Sequence, residues 1–104
     1  MKITEMEKLA VMLMREKVEF NVNYMYEFDN APQIILLDEC GERFGDVICH
    51  KFSYGGKDGL LEYMGVGIPE EVGDDVEGYL TANEAFQVII RGLEEITSEY
   101  YKIR

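Results

Sequence analysis

Apolar residues at Met6, Leu9, Ala10, Leu13 and Met14 fall on one side of a 3.6-residue period, and Thr4 with Glu7 gives the spacing of a capping box just ahead of them. A first helix over about residues 5–17 is predicted, with its Met and Leu stripe as core. At Val18 the period changes to two. Val18, Phe20, Val22, Tyr24, Tyr26 and Phe28 then alternate with Glu19, Asn21, Asn23 and Glu27, which predicts a strand with its apolar face on the helices and its polar face in water. Asp29, Asn30, Ala31 and Pro32 read as a turn, since Pro biases Ala31 away from helix. Gln33 to Asp38 follows as a second strand, and its unbroken Ile34–Leu37 run suggests cover on both faces. Glu39 to Gly45 reads as a hairpin connection into a third strand from Asp46 to Tyr54.

That third strand enters the stretch around which the chain is organised, GDVICHKFSYGGKDGLLEYMGVG, from Gly45 to Gly67. Gly55, Gly56 and Gly59 permit backbone angles that other residues avoid, so a sharp turn is expected after Tyr54. Asp58 is placed to cap the amides of Leu60 and Leu61. The reading for Gly59 to Met64 is therefore a helix of under two turns, lying on the sheet through Leu60, Leu61 and Met64. Beyond it, IPEEVGDDVEG is the longest candidate loop, and Tyr79 and Leu80 form either a brief fourth strand or a buried lead into the last helix. Thr81 and Glu84 repeat the capping-box spacing. Ala85, Phe86, Ile89, Leu93, Ile96 and Tyr100 then recur at helical intervals, giving a helix from about Ala82 to Tyr100. Gly92 inside it costs about 1 kcal/mol against Ala, which points to close packing on another element. The order of elements implies one α+β domain over residues 1–104. Its sheet has three to four mainly antiparallel strands, its N-terminal and C-terminal helices pack mainly on one face, and a short middle helix joins them.

Composition adds the setting. At 104 residues with 47% hydrophobic content the chain is long enough for one core, and no apolar run approaches the roughly 20 residues of a membrane span. Residues 1–17 lack the basic start and cleavage site of a signal peptide, and Cys40 and Cys49 lack CxxC spacing, so a cytoplasmic protein with reduced thiols is expected. The net charge of −11 is unevenly spread: residues 18–46 and 65–84 carry −6 each, while the rest of the chain is close to neutral. Scattered Lys and Arg argue against direct nucleic-acid binding and leave a protein partner, including a basic one, as the expectation.

Candidate chemistry is sparse. Cys49 beside His50 invites a thiolate reading, but neighbours on a regular strand point to opposite faces, so Cys49 reads as a small core residue and His50 as a partly exposed one. The turn GGKDG sits between a strand and a helix, where amides can cradle phosphate. It matches neither phosphate-loop spacing, and Asp58 would repel the anion. Five carboxylates, Glu70, Glu71, Asp74, Asp75 and Glu77, lack the alternation of an EF-hand and read as a solvated loop or a basic partner's contact. No catalytic residue, cofactor or metal is assigned.

GDVICHKFSYGGKDGLLEYMG, followed by DDVEGYLTANEAF, resembles a group of small uncharacterised proteins from phages and prophages of Gram-positive bacteria, over about residues 33–90. The resemblance implies a phage-associated origin and no reaction. The expected function is a non-enzymatic accessory or protein-interaction protein. Alternatives are an acidic nucleic-acid mimic that inhibits a basic host protein, and a small enzyme using Cys49 or His50. The expected interaction surface joins Tyr54, Gly55, Gly56 and Lys57 to Glu70, Glu71, Asp74, Asp75 and Glu77. A helix of under two turns between them would span only about 9–12 Å, within one partner footprint.

Overall fold

Both expected capping boxes form, and they set where the two long helices begin. The computed structural model describes residues 2–103, with side chains through residue 98. Helix α1 (Glu5–Arg15) starts where Thr4 Oγ1 accepts the Glu7 amide at 3.1 Å while Glu7 Oε1 accepts the Thr4 amide at 3.1 Å. Helix α2 (Ala82–Ile103) starts in the same way, with the Thr81 amide donating to Glu84 Oε1 at 2.9 Å and the Glu84 amide to Thr81 Oγ1 at 3.3 Å. A third cap comes from far along the chain: Glu5 Oε1 accepts the Ala82 amide at 2.8 Å, and Glu5 Oε2 pairs with Lys8 Nζ at 2.8 Å. The two helix starts are thereby tied together.

The capping carboxylates carry a pH dependence. Glu5 is held below its ordinary value of 4.5 first by the Lys8 hydrogen bond and then by the Ala82 amide, and Glu7 and Glu84 by the Thr4 and Thr81 amides. A carboxyl depressed in the fold contributes stability above its unfolded value and loses it as pH falls. We therefore expect the melting temperature to drop from about pH 5 to about pH 3, and Glu5→Gln to flatten that limb while lowering stability at neutral pH. An unaltered acid limb in Glu5→Gln, followed by circular dichroism, would contradict the role of the inter-helix cap.

Five strands form one antiparallel meander, β1 (Phe20–Met25), β2 (Ala31–Leu37), β3 (Arg43–Ile48), β4 (Leu61–Gly65) and β5 (Val76–Leu80), in the order of the chain. Residues opposite one another on paired strands share a face. Ile34, Leu36, Val47, Leu61, Tyr63 and Leu80 thus point to the helices, where they meet Met6, Leu9 and Leu13 of α1 and Ala82, Ala85 and Ile89 of α2. Among the described residues no helix covers the other face. Across it runs a row of side-chain bonds: Asn23 Nδ2 donates to Gln33 Oε1 at 3.0 Å, Gln33 Nε2 to Asp46 Oδ2 at 2.6 Å, and Arg43 approaches Asp46 Oδ1 at 3.5 Å. Among the described residues no helix is long and apolar enough to cross a membrane.

The α+β class and the helices on one face agree with the sequence reading, but several elements differ. Leu61–Gly65 is a strand, and the short middle helix is a single 3-10 turn over Gly56–Asp58. The reason is periodicity: buried Leu61 and Tyr63 alternate with Glu62 and Met64, and a strand here bonds to β3 and β5 where so short a helix would bear a full nucleation cost. Tyr79 and Leu80 belong to the full strand β5, so the sheet has five strands. Strand β1 stops at Met25, which is buried, and Tyr26–Phe28 curls into a 3-10 turn. Of the expected inward face, Val18 is buried and Phe20 half-buried, but Val22, Tyr24 and Tyr26 are exposed because β1 is an edge strand. Strand β3 ends at Ile48 instead of running to Tyr54. On β2, Ile35 lies on the uncovered face and is only half-buried, and Leu37, past a break in the register, is half-buried as well. Tyr100, expected on the stripe of α2, lies outside the described side chains.

Candidate interaction surfaces

In a meander every second connection falls at the same end of the sheet. The β1–β2 and β3–β4 connections lie at one end with the starts of both helices, and the β2–β3 and β4–β5 connections lie at the other with the α1–β1 corner. The two ends have different chemistry.

At the first end the chain leaves β3 at Ile48 and folds back on itself. Ser53 Oγ donates to the His50 carbonyl at 2.8 Å and accepts the His50 amide at 2.9 Å, and the Phe52 amide donates to His50 Nδ1 at 3.1 Å. That bond makes Nδ1 an acceptor and fixes the orientation of the ring. The imidazole lies flat on Phe28, with centroids 3.9 Å apart and 1° between planes, and Phe52 meets both rings edge-on, 6.2 Å from Phe28 and 6.3 Å from His50. Lys51 Nζ sits 5.3 Å from the Phe52 centroid. Tyr54 follows in the same connection and packs against Gly78 of β5. Its amide donates to Glu62 Oε1 at 2.8 Å, and its carbonyl accepts the Tyr79 amide at 3.1 Å. Gly55 turns the chain there at φ 91°, and a Cβ on it would come within 2.8 Å of the Tyr79 Cα. Phe52, Tyr54 and Tyr79 are 72%, 57% and 62% exposed.

At the opposite end Glu70, Glu71, Asp74 and Asp75 are exposed on the β4–β5 connection, where Glu70–Val72 makes a 3-10 turn. Asp38, Glu39 and Glu42 lie on the β2–β3 hairpin at that same end, and Glu16 and Glu19 at the α1–β1 corner.

The structure therefore splits the surface expected from sequence. Tyr54, Gly55, Gly56 and Lys57 are at the ring-bearing end, while Glu70, Glu71, Asp74 and Asp75 are at the acidic end. Strand β4 stands between them, and its five residues extend roughly 16 Å where a helix would have been shorter. Glu77 is the exception. It lies in β5 opposite Tyr63, one residue from the Gly78 that packs on Tyr54, with its Oε2 buried and without a hydrogen-bond partner among the described residues.

Cys49 is half-buried against the core with Sγ 4.0 Å from the Gly56 carbonyl oxygen, and burial pushes its thiol up from the ordinary value of 9.0. A raised value disfavours the nucleophilic thiolate. His50 is committed to Phe28 and to the Phe52 amide. Among the described residues no three His, Cys, Asp or Glu side chains come together as a metal-binding set.

The ring cluster is not legible in the sequence because the two-residue alternation puts Phe28 on a core-facing strand and His50 and Phe52 inside the third strand. The available signal was topological: both ring-bearing segments flank β2 partners at the same end of antiparallel pairs. The chain matches no protein-family model, no curated protein and no solved structure.

Proposed function

We propose that this chain is a non-enzymatic, phage-type accessory protein that docks on another protein through its ring-bearing end. The observation that carries the reading is the stack of Phe28, His50 and Phe52, with Phe52, Tyr54 and Tyr79 exposed at the same end of the sheet. Aromatic side chains are enriched in binding hot spots, and rings already held by stacking lose little rotamer freedom when a partner covers them. The raised Cys49 thiol and the engaged His50 ring support a binding role over a nucleophilic one. Phage association rests on the likeness of the two sequence stretches. A second reading, mimicry of a nucleic-acid backbone, is favoured by the gathering of the Glu70–Asp75 loop and the Asp38–Glu42 hairpin at one end.

A capture experiment from host extract separates the two. Phe52→Ala/Tyr54→Ala changes exposed rings, so the melting temperature should shift by no more than about 1–3 °C while partner capture falls at least about tenfold. Changing Glu70, Glu71, Asp74 and Asp75 to Gln or Asn should leave capture intact. Loss of capture in the second variant, or release by moderate salt with the rings intact, would favour mimicry and defeat docking through the rings.

A further inference from the structure

The helical layer over the sheet is incomplete. Helices α1 and α2 start side by side at the Glu5–Ala82 bond and run in the same direction, but α1 has 11 residues and α2 has 22. At 1.5 Å per residue α1 ends after about 16 Å and α2 continues to about 33 Å. Beside the second half of α2, past the end of α1, lies a groove of about 720 Å³. Val18, Leu37, Leu93 and Ile96 give it an apolar floor, all but Val18 only half-buried. It continues into an adjoining hollow that shares Val18 and Leu93 and adds Ile90.

The rim is mainly acidic. Among the described residues Glu16, Glu19, Asp38 and Glu39 border the groove against Lys17, and Glu94 borders the adjoining hollow. Asp38 Oδ1 is occupied by the Cys40 and Glu42 amides, each at 2.9 Å. The ion pairs among the described residues are Lys8–Glu5 and Arg43–Asp46, and neither involves the rim. The carbonyl end of α1 also points here, adding the negative pole of its helix dipole.

We infer that this groove binds a cationic amphipathic helix of a partner protein, about three turns long, which completes the missing half of the helical layer. Leucine-type side chains at i, i+3 or i+4 and i+7 would seat on Val18, Leu93 and Ile96, and lysine or arginine on the flanks would meet the carboxylates. The site is separate from the ring-bearing end, and its test does not depend on docking there.

The probe is a fluorescent peptide of about 12 residues built from Leu and Lys, with its leucines on one helical face, titrated against the full chain at low salt by anisotropy. A scrambled peptide of the same composition, whose leucines share no face, should bind at least about tenfold more weakly. Glu16→Gln/Glu19→Gln/Glu39→Gln should weaken the amphipathic peptide by about tenfold or more. The loop variant at Glu70, Glu71, Asp74 and Asp75 removes more charge from the same end, yet should stay within about twofold of the parent. On the unsubstituted chain, the amphipathic peptide should shield the exposed Cys40 thiol, which lines the groove, from maleimide, and the scrambled peptide should not. No binding to the parent, equal binding of the scrambled peptide, or an equal loss in the loop variant would overturn the assignment.

Discussion

Tyr63→Ala is expected to lose about 4–5 kcal/mol, a third or more of the stability typical of a domain this size. Tyr63 is fully buried on β4, and its ring lies over Gly45 of β3 so closely that a Cβ there would come within 2.7 Å of it. Its hydroxyl donates to the Val66 carbonyl oxygen at 2.5 Å. Removing the ring opens a cavity whose wall at Gly45 has no side chain to relax inward, and strands the Val66 acceptor as well. Tyr63→Phe keeps the ring and should cost only about 1–2 kcal/mol. The pair also has an alkaline signature. Burial first, and then the charges of Asp46 and Glu95, hold the phenol above its ordinary value of 10. A phenol raised in the fold contributes its full stability below pH 10 and loses it as pH rises further, so Tyr63→Phe should blunt the alkaline limb of urea unfolding. A loss below about 2 kcal/mol in Tyr63→Ala would show that the site collapses without it.

Gly92→Ala should destabilise the domain by about 2 kcal/mol although alanine is the better helix former by about 1 kcal/mol. A Cβ at residue 92 would fall on the Val66 carbonyl oxygen, where α2 presses on the β4–β5 connection. The contact is built from both sides. Gly67 holds φ at 106°, and a Cβ on it would come within 2.5 Å of the Val88 carbonyl oxygen and 2.6 Å of the Gly92 amide nitrogen. Neither backbone can yield without moving helix or loop, so overpacking outweighs propensity. A fall in melting temperature of about 5 °C or more is the expected outcome, with Gln87→Ala on the exposed face of the same helix as the unaffected comparison. A rise would mean that the helix is free to move off the loop.

Glycine 92 was legible in the sequence because a residue that weakens a helix needs a compensating reason, and both capping boxes were legible because they are local. What failed was the assignment of a partner to each face. The alternation from Val18 to Phe28 is real, but it cannot say that β1 is an edge strand that leaves Tyr24 and Tyr26 exposed. Leu61–Gly65 carries both a helical and a two-residue reading, and the ladder to β3 and β5 decides between them. The exposed carboxylates of the β4–β5 connection were found by composition alone. Their separation from Tyr54, the Phe28–His50 stack and the groove beside α2 all follow from which connections share an end of the sheet, and topology fixes that.

The strictly sequential order of the strands also governs how the chain finds its fold. Each of the four strand pairings joins neighbours along the chain, so each closes a short loop and loses little chain entropy before its ladder forms. The Glu5–Ala82 bond is the reverse case, uniting residues 77 positions apart. Docking α1 on α2 is therefore the step with the largest loop-closure cost. A chain built this way is expected to assemble its sheet from local hairpins and to seal the two helix starts last, so that Glu5→Gln should speed unfolding more than it slows folding.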